Sequence, residues 1–433
     1  MVRKKGNMKW WQLSLVGIGC TIGTGFFLGS SIAIEQAGAR VLWLFLFSAI
    51  GTYFVYETLA KLSIEYPDKG SFRSYAKKAF GDWAGFSNGW VYCLSEMLIM
   101  GSQLIALGIF TRFWFPDLPL WICMVIFAGL GLTIILTGLA GFEKIENIFG
   151  IMKASAVIMF ILVAVFLLVK ETESSGNPIH SALSGNFPST WWVGFIYAFY
   201  AFGGIEVMGL VATDLKKKQE ALKAGRWMLL GLVSIYIIAL GLALAFINEK
   251  KISIDESPFI TALQPFQIPF IADVFNGVFI IAGFSTMIAS LYAIITILVT
   301  LSEDHHAPAF LSKKGRLKIP FPAFISLLIG LIVSIVIGLL LPDRIFEYIT
   351  TAAGLMLLYN WLFILASFMK LQRPTRWSFM KPMIAGVLII IAVTTTLFTE
   401  VSRMGFFVSI GFIFMITIAV FIMKKKWHTT SSS

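Results

Sequence analysis

Gly17-Ile18-Gly19-Cys20-Thr21-Ile22-Gly23-Thr24-Gly25 sits inside the first long apolar run of the chain, residues 11–34. Four glycines in nine positions are costly in a helix interior, about 1 kcal/mol each relative to Ala. Two readings account for the cost. In one, Gly19/Gly23 and Gly25/Gly29 are small-xxx-small pairs that let helices pack closely. In the other, the helix is broken and its freed backbone groups bind a ligand near the membrane midplane. The stretch is not a dinucleotide fingerprint. That motif needs G-x-G-x-x-G between a strand and a helix, and position 22 is Ile.

The rest of the chain supplies the context. It has 433 residues, 58% hydrophobic and 13% charged, with a mean hydropathy of +0.85. That balance excludes a soluble enzyme, a disordered chain and a disulfide-stapled domain. The apolar residues form unbroken runs rather than an alternation, which excludes an outer-membrane barrel. At about 20 residues per crossing, the spans fall at 11–34, 41–62, 85–113, 119–140, 145–169, 191–212, 227–247, 272–300, 321–341, 346–369, 382–400 and 404–423. The chain reads as an all-α polytopic membrane protein with 12 transmembrane helices.

Charge tests the count. With loops alternating across the bilayer, 26 of the 34 Lys and Arg fall on one side and seven on the other, with Lys153 inside a span. By the positive-inside rule both termini are cytoplasmic, and the membrane is the plasma membrane. The net charge of +11 is explained by those loops, so no nucleic-acid partner is expected. Cys20, Cys93 and Cys123 have no CxxC spacing and no nearby His, so neither a metal nor a disulfide is expected. No catalytic set and no cofactor motif is visible. His305 and His306 read as solvated loop residues.

A second break matches the first. Span six reads Phe199-Tyr200-Ala201-Phe202-Gly203-Gly204-Ile205-Glu206. Glycine-interrupted spans at equivalent places in two halves are the best sequence pointer to a transporter site. The N–H groups at one half-helix end suit a carboxylate, and free carbonyls suit an ammonium. The expected ligand is an α-amino acid held by backbone and covered by aromatics of span six. Lys153 is deep in span five, where a lysine has a function or a partner, or snorkels to the cytoplasmic edge. Glu206 either is structural or titrates. Glu96 and Gln103 are seven apart on one face of span three and could line the cavity. Glu57 reads as reaching the cytoplasmic loop.

At these residues the chain resembles the amino-acid permeases of the amino acid–polyamine–organocation superfamily. Gly17 through Phe27 resembles that family's first-span pattern. Glu65-Tyr66-Pro67 through Gly70-Ser71-Phe72 to Tyr75, then Gly81, Gly85-Phe86 and Gly89-Trp90, resembles its first cytoplasmic loop. Gly204-Ile205-Glu206, Lys153 seven residues after Glu146, and Leu301-Ser302-Glu303-Asp304 to Ala307-Pro308 match further motifs. The resemblance implies the leucine-transporter-type five-plus-five inverted repeat with broken helices 1 and 6. The expected parts are a cytoplasmic N-terminus (1–10), a first five-helix repeat (11–169), a second (170–369), and two additional helices with a tail (370–433).

The resemblance also implies import of amino acids by alternating access. Substrate would lie against Thr21, Ile22, Gly23, Thr24 and Gly25, and against Phe199, Ala201, Phe202, Gly203 and Ile205. Lys153, with Glu206 beside the substrate, is the proton-coupling candidate. The apolar candidates Ile22, Phe199, Phe202 and Ile288 favour a neutral, hydrophobic amino acid. The alternatives are a gradient-independent exchanger of amino acids or polyamines and, in a different class, a membrane nutrient sensor. The expected partners are therefore the amino acid, protons and the lipid bilayer. The chain departs from the family in span eight, where Ser285-Thr286-Met287-Ile288-Ala289-Ser290 replaces S-x-x-N-[SG] and Thr296 stands at an Arg position. It departs again in span three, with Gln103 for a Glu and Glu96 for an aromatic.

Overall fold

The computed structural model describes residues 8–175, 191–247, 256–313, 319–340, 345–372 and 376–430. Residues 1–7 of the expected cytoplasmic N-terminus lie outside them. So do Lys250, Lys251, Lys314, Arg316, Lys318, Arg344 and Arg373 of the charge comparison.

The first apolar run folds as three helices: α1 (Trp10–Thr21), α2 (Thr24–Phe27) and α3 (Gly29–Ala37). Then come α4 (Val41–Glu65), α5 (Phe72–Phe80), α6 (Asp82–Arg112), α7 (Leu120–Ile135) and α8 (Leu139–Ser175). The second half has α9 (Phe195–Tyr200), α10 (Ile205–Val211), α11 (Glu220–Phe246), α12 (Pro258–Leu263), α13 (Ile271–Glu303), α14 (Phe321–Leu340) and α15 (Ile345–Gln372). Two further helices follow, α16 (Arg376–Thr395) and α17 (Glu400–Thr430).

Among the described residues, nine helical stretches are long and apolar enough to cross a membrane, and two shorter apolar helices join them. The ordering within the bundle follows burial. In the most apolar window of residues 191–214, 89% of positions are buried, against 11% in that of 400–424. The broken sixth segment is therefore at the core and α17 at the lipid-facing edge. Phe407, Phe414 and Phe421 of α17 point outward, as an apolar helix face does when its solvent is hydrocarbon.

Three expectations change. The polar Ser63–Asp82 loop holds a helix, α5, with Arg73 and Tyr75 turned inward. The fifth span starts earlier than expected: α8 begins at Leu139, which places Glu146 well inside the helix and fully buried rather than at its edge. Span eleven starts earlier than expected, because Pro382 lies inside α16. Pro382 is the seventh residue of α16, past the first turn, so its missing N–H leaves the Ser378 carbonyl without an i→i−4 donor.

Candidate functional site

The nine-residue stretch divides its glycines between both readings. Gly17 and Gly19 are packing glycines. A Cβ at Gly19 would stand 2.5 Å from the Glu146 carboxylate and 2.8 Å from the Glu146 carbonyl of α8. Gly23 marks the break. It is extended (φ −149°, ψ −160°), with Ile22 before it at ψ 104°. The sixth segment breaks likewise. Ala201–Gly204 separates α9 from α10, and Gly204 has φ +107°. The two breaks touch, since a Cβ at Gly204 would meet the Cys20 carbonyl oxygen at 2.6 Å.

The ends of the broken helices are held from outside. Lys153 is fully buried, so it does not snorkel; its Nζ donates to the Gly19 carbonyl oxygen at 2.5 Å. An ammonium at this C-terminal end satisfies an orphan carbonyl and opposes the helix dipole. Glu146 lies beside it and accepts the Ser285 hydroxyl at 2.9 and 3.0 Å. Ser285 belongs to the departing span-eight motif. Tyr236 of α11 donates to the Ala201 carbonyl at 3.2 Å and stacks on Phe26 at 3.7 Å. Glu206 is buried with both oxygens engaged, by Gly204 N–H at 3.0 Å and by the Trp361 indole N–H at 3.2 Å.

A cavity opens where the breaks meet. Of the expected substrate residues, Thr21, Gly23, Gly25 and Gly203 line it. Ile22, Thr24, Phe199, Ala201, Phe202 and Ile205 are buried but do not. Phe199 packs on Trp361 and Phe195, and Phe202 packs on Phe45 and Tyr236. Thr24 acts through a neighbour, donating its hydroxyl to Gln103 at 2.7 Å. In place of the expected apolar wall stand Tyr200 and Gly204 from the sixth segment, with Glu96, Ile99 and Gln103 from α6. Thr286, Ala289 and Ser290 from α13, together with Cys20 and Val207, complete the lining, whereas Ile288 does not take part. Tyr200 is fixed through its hydroxyl to Ser102 at 2.9 Å. Helical periodicity could have flagged Ser290 and Thr286, four apart on one face. The lining leaves about 30 Å³ for the centres of water-sized molecules. That is room for about two waters, so the geometry is a closed one.

The end of the bundle expected to face the cytoplasm is fastened by charges. Arg73 of α5 pairs with Asp304 after α13, and Lys77 lies 3.3 Å from both Asp304 and Asp82. His306 is buried, not solvated as expected. Arg73 can only donate, so His306 Nδ1, 3.2 Å from Arg73, accepts. The proton then sits on Nε2, which donates to Asp82 at 3.1 Å. Burial, joined by the charges of Arg73 and Lys77, pushes His306 down to about 4 against the opposing pull of Asp82. Burial would raise the Asp304 carboxyl, but Arg73 and Lys77 outweigh it and hold the group below its usual range. The N-terminus adds a second tie. Met8 N–H donates to the Asp214 carbonyl at 3.1 Å, and Lys216 N–H donates to the Met8 carbonyl at 2.9 Å. Glu57 pairs with Lys61 and with Lys381 just before span eleven, two of the charges counted on the expected cytoplasmic side.

The "Amino acid permease" family model matches residues 12–431. An uncharacterized transporter of Bacillus subtilis (strain 168), YcgH, is 54% identical over 427 residues, covering 98% of this chain and 96% of the relative. The amino-acid permease AapA of the same organism is 27% identical over 359 residues, covering 81% and 78%. The crystal structure of MhsT in complex with L-phenylalanine is similar with a TM-score of 0.63 at 15% identity, covering 91% of this chain and 99% of that one. That likeness carries the fold: a leucine-transporter-type bundle with broken first and sixth helices.

Proposed function

The chain belongs to the amino acid permease family, and from that premise we propose that it imports amino acids across the plasma membrane by alternating access, coupled to protons. One observation carries the proposal: the two broken segments meet, Gly204 against Cys20, around a cavity lined by Thr21, Gly23, Gly25 and Gly203. Helix ends there leave backbone donors and acceptors without intrahelical partners, which suits the two charged ends of an amino acid. The half-helices can rock against the rest of the bundle because each is held by side chains rather than by its own continuation.

Lys153 links a proton to that site. Protonated, its ammonium holds the Gly19 carbonyl two residues before Thr21. A charge-assisted bond of this kind is about twice as strong as a neutral one. Loss of the proton weakens the clamp and frees the break to reorganise. The cytoplasmic network of Arg73, Asp304, His306, Asp82 and Lys77 is the fastening that must open for release inward, with both termini on that side. The neutral, hydrophobic preference drawn from Ile22, Phe199, Phe202 and Ile288 has little support from the cavity, because these side chains pack outside its lining.

A second reading, exchange without an ion gradient, draws on the same contact, since a permanently charged Lys153 would be a fixed structural cation beside Glu146. Uptake of labelled amino acids into proteoliposomes separates the two. Accumulation driven by an inward pH gradient without sodium supports proton symport. Uptake that needs internal amino acid and ignores the gradient refutes coupling and leaves exchange.

A further inference from the structure

The cavity holds a carboxylate that the transport scheme does not use. Glu96 of α6 lines it and is buried, and Ser290 of α13 shares the lining. Among the described residues no Lys or Arg nitrogen lies within 4.0 Å of it. A carboxylate has about four acceptor positions, and the Ser290 hydroxyl could fill only one of them. A buried carboxylate without a cation or a full set of donors is costly. The other polar groups of the lining are engaged: Gln103 with Thr24, Tyr200 with Ser102, and Thr286 with its own helix. The neighbouring Glu206 has both oxygens taken. Independently, Thr21 Oγ1 is buried on the same cavity without a hydrogen-bond partner. So the cavity wall is set up to accept and donate hydrogen bonds at two places that the fold leaves unfilled.

Position tells what part of a ligand each place meets. Gln103 stands beside Thr24 at the α1–α2 break, where the charged ends of an amino acid belong. Glu96 is seven residues away on the same helix face, about 10 Å along the axis. Ile99 lies between them along the helix, and it and Val207 also line the cavity. That order is polar head, apolar stem, acceptor.

We propose that Glu96 reads the far end of the substrate side chain, and that the substrate is an α-amino acid with an aliphatic stem ending in an N–H donor, cationic or amide. This rests on the reading of the cavity as an amino-acid site. The size of the present cavity requires the wall to open around such a side chain, which alternating access supplies.

The test is counterflow into proteoliposomes of the full chain, comparing labelled lysine, arginine, glutamine, leucine and phenylalanine, for wild type and for Glu96→Gln and Glu96→Ala. The expected result is a wild-type preference for lysine, arginine or glutamine over leucine and phenylalanine. Glu96→Gln then lowers uptake of a cationic substrate by about 10- to 100-fold, the loss of a charge-assisted bond, and lowers glutamine less. Glu96→Ala lowers both. A wild type that prefers leucine or phenylalanine overturns the inference even if neither variant folds, and so does a folded Glu96→Gln that slows every substrate equally; both leave the transport reading intact. Absence of counterflow for any amino acid overturns the transport reading itself, and this inference with it.

Discussion

Gly204→Ala strikes the contact on which the site depends. Two costs add. An alanine at φ +107° is strained by about 1–3 kcal/mol. Its Cβ would also stand 2.6 Å from the Cys20 carbonyl oxygen, where ordinary contact begins at 3.4 Å, so the breaks must separate by about 0.8 Å. Both atoms at the clash are backbone or fixed to it, so no side-chain rotation relieves it. Thermal unfolding of the purified protein should fall by ~2–6 °C from the strain alone, taking about 2 °C per kcal/mol, and the clash lowers it further. Transport should fall further than stability, by about 100-fold, because a displacement near 1 Å at a positioned site has that effect. Gly386→Ala is the control: a Cβ there meets nothing within 4 Å, and both readouts should stay at or above wild type. The assays are melting in detergent and initial uptake rate in proteoliposomes at matched protein content. If Gly204→Ala melted and transported like wild type, the close approach of the two breaks would not be the basis of the site.

Other perturbations test separate parts. Lys153→Ala should abolish accumulation driven by a pH gradient while some exchange persists; unchanged gradient-driven accumulation would remove Lys153 from coupling. Trp361→Phe leaves a Glu206 oxygen without its donor and should destabilise the protein by about 1–3 kcal/mol, read from the melting curve. Arg73→Ala should loosen the cytoplasmic fastening, and alkylation of Cys20 in a Cys93→Ser/Cys123→Ser background should speed up from the cytoplasmic face, measured by mass spectrometry. Burial and the nearby cations hold His306 at about 4 in the folded protein, below the usual imidazole value of about 6.5. The unfolded chain therefore binds the extra proton first. Its stability contribution is complete above 6.5 and is lost as pH falls from 6.5 towards 4. His306→Gln should flatten the dependence of melting temperature on pH in that window.

How much was legible in advance follows from what kind of information each feature needs. The membrane class, the helical passes and the two breaks were readable because they depend on local properties: run length, glycine content and the cost of an interrupted helix. Lys153 stood out because a buried charge in an apolar run demands a partner. What that partner is was not readable. The Gly19 carbonyl is 134 residues away along the chain, and Glu146 stood at the edge of the expected span, because α8 starts before its hydrophobic stretch does. His306 looked solvated for a similar reason: its partners, Arg73 of α5 and Phe86 of α6, lie more than 200 residues back, on helices the loop does not show.

The lining of the cavity was decided by the tertiary structure alone. Periodicity placed Glu96 and Gln103 on one face of α6, and that relation is internal to a helix. It could not say how α6, α13 and the broken segments are rotated about their own axes against one another. Phe199 and Phe202 therefore looked like the lid, while packing turns them towards Trp361, Phe45 and Tyr236 and turns Tyr200 to the cavity. The sequence by itself singled out the two glycine-rich stretches, 17–25 and 203–204, as places where a helix breaks or packs closely. The packing determined that the breaks meet, and which side chains they enclose, since the rotation of each helix depends on ridges and grooves contributed by residues far apart in the chain.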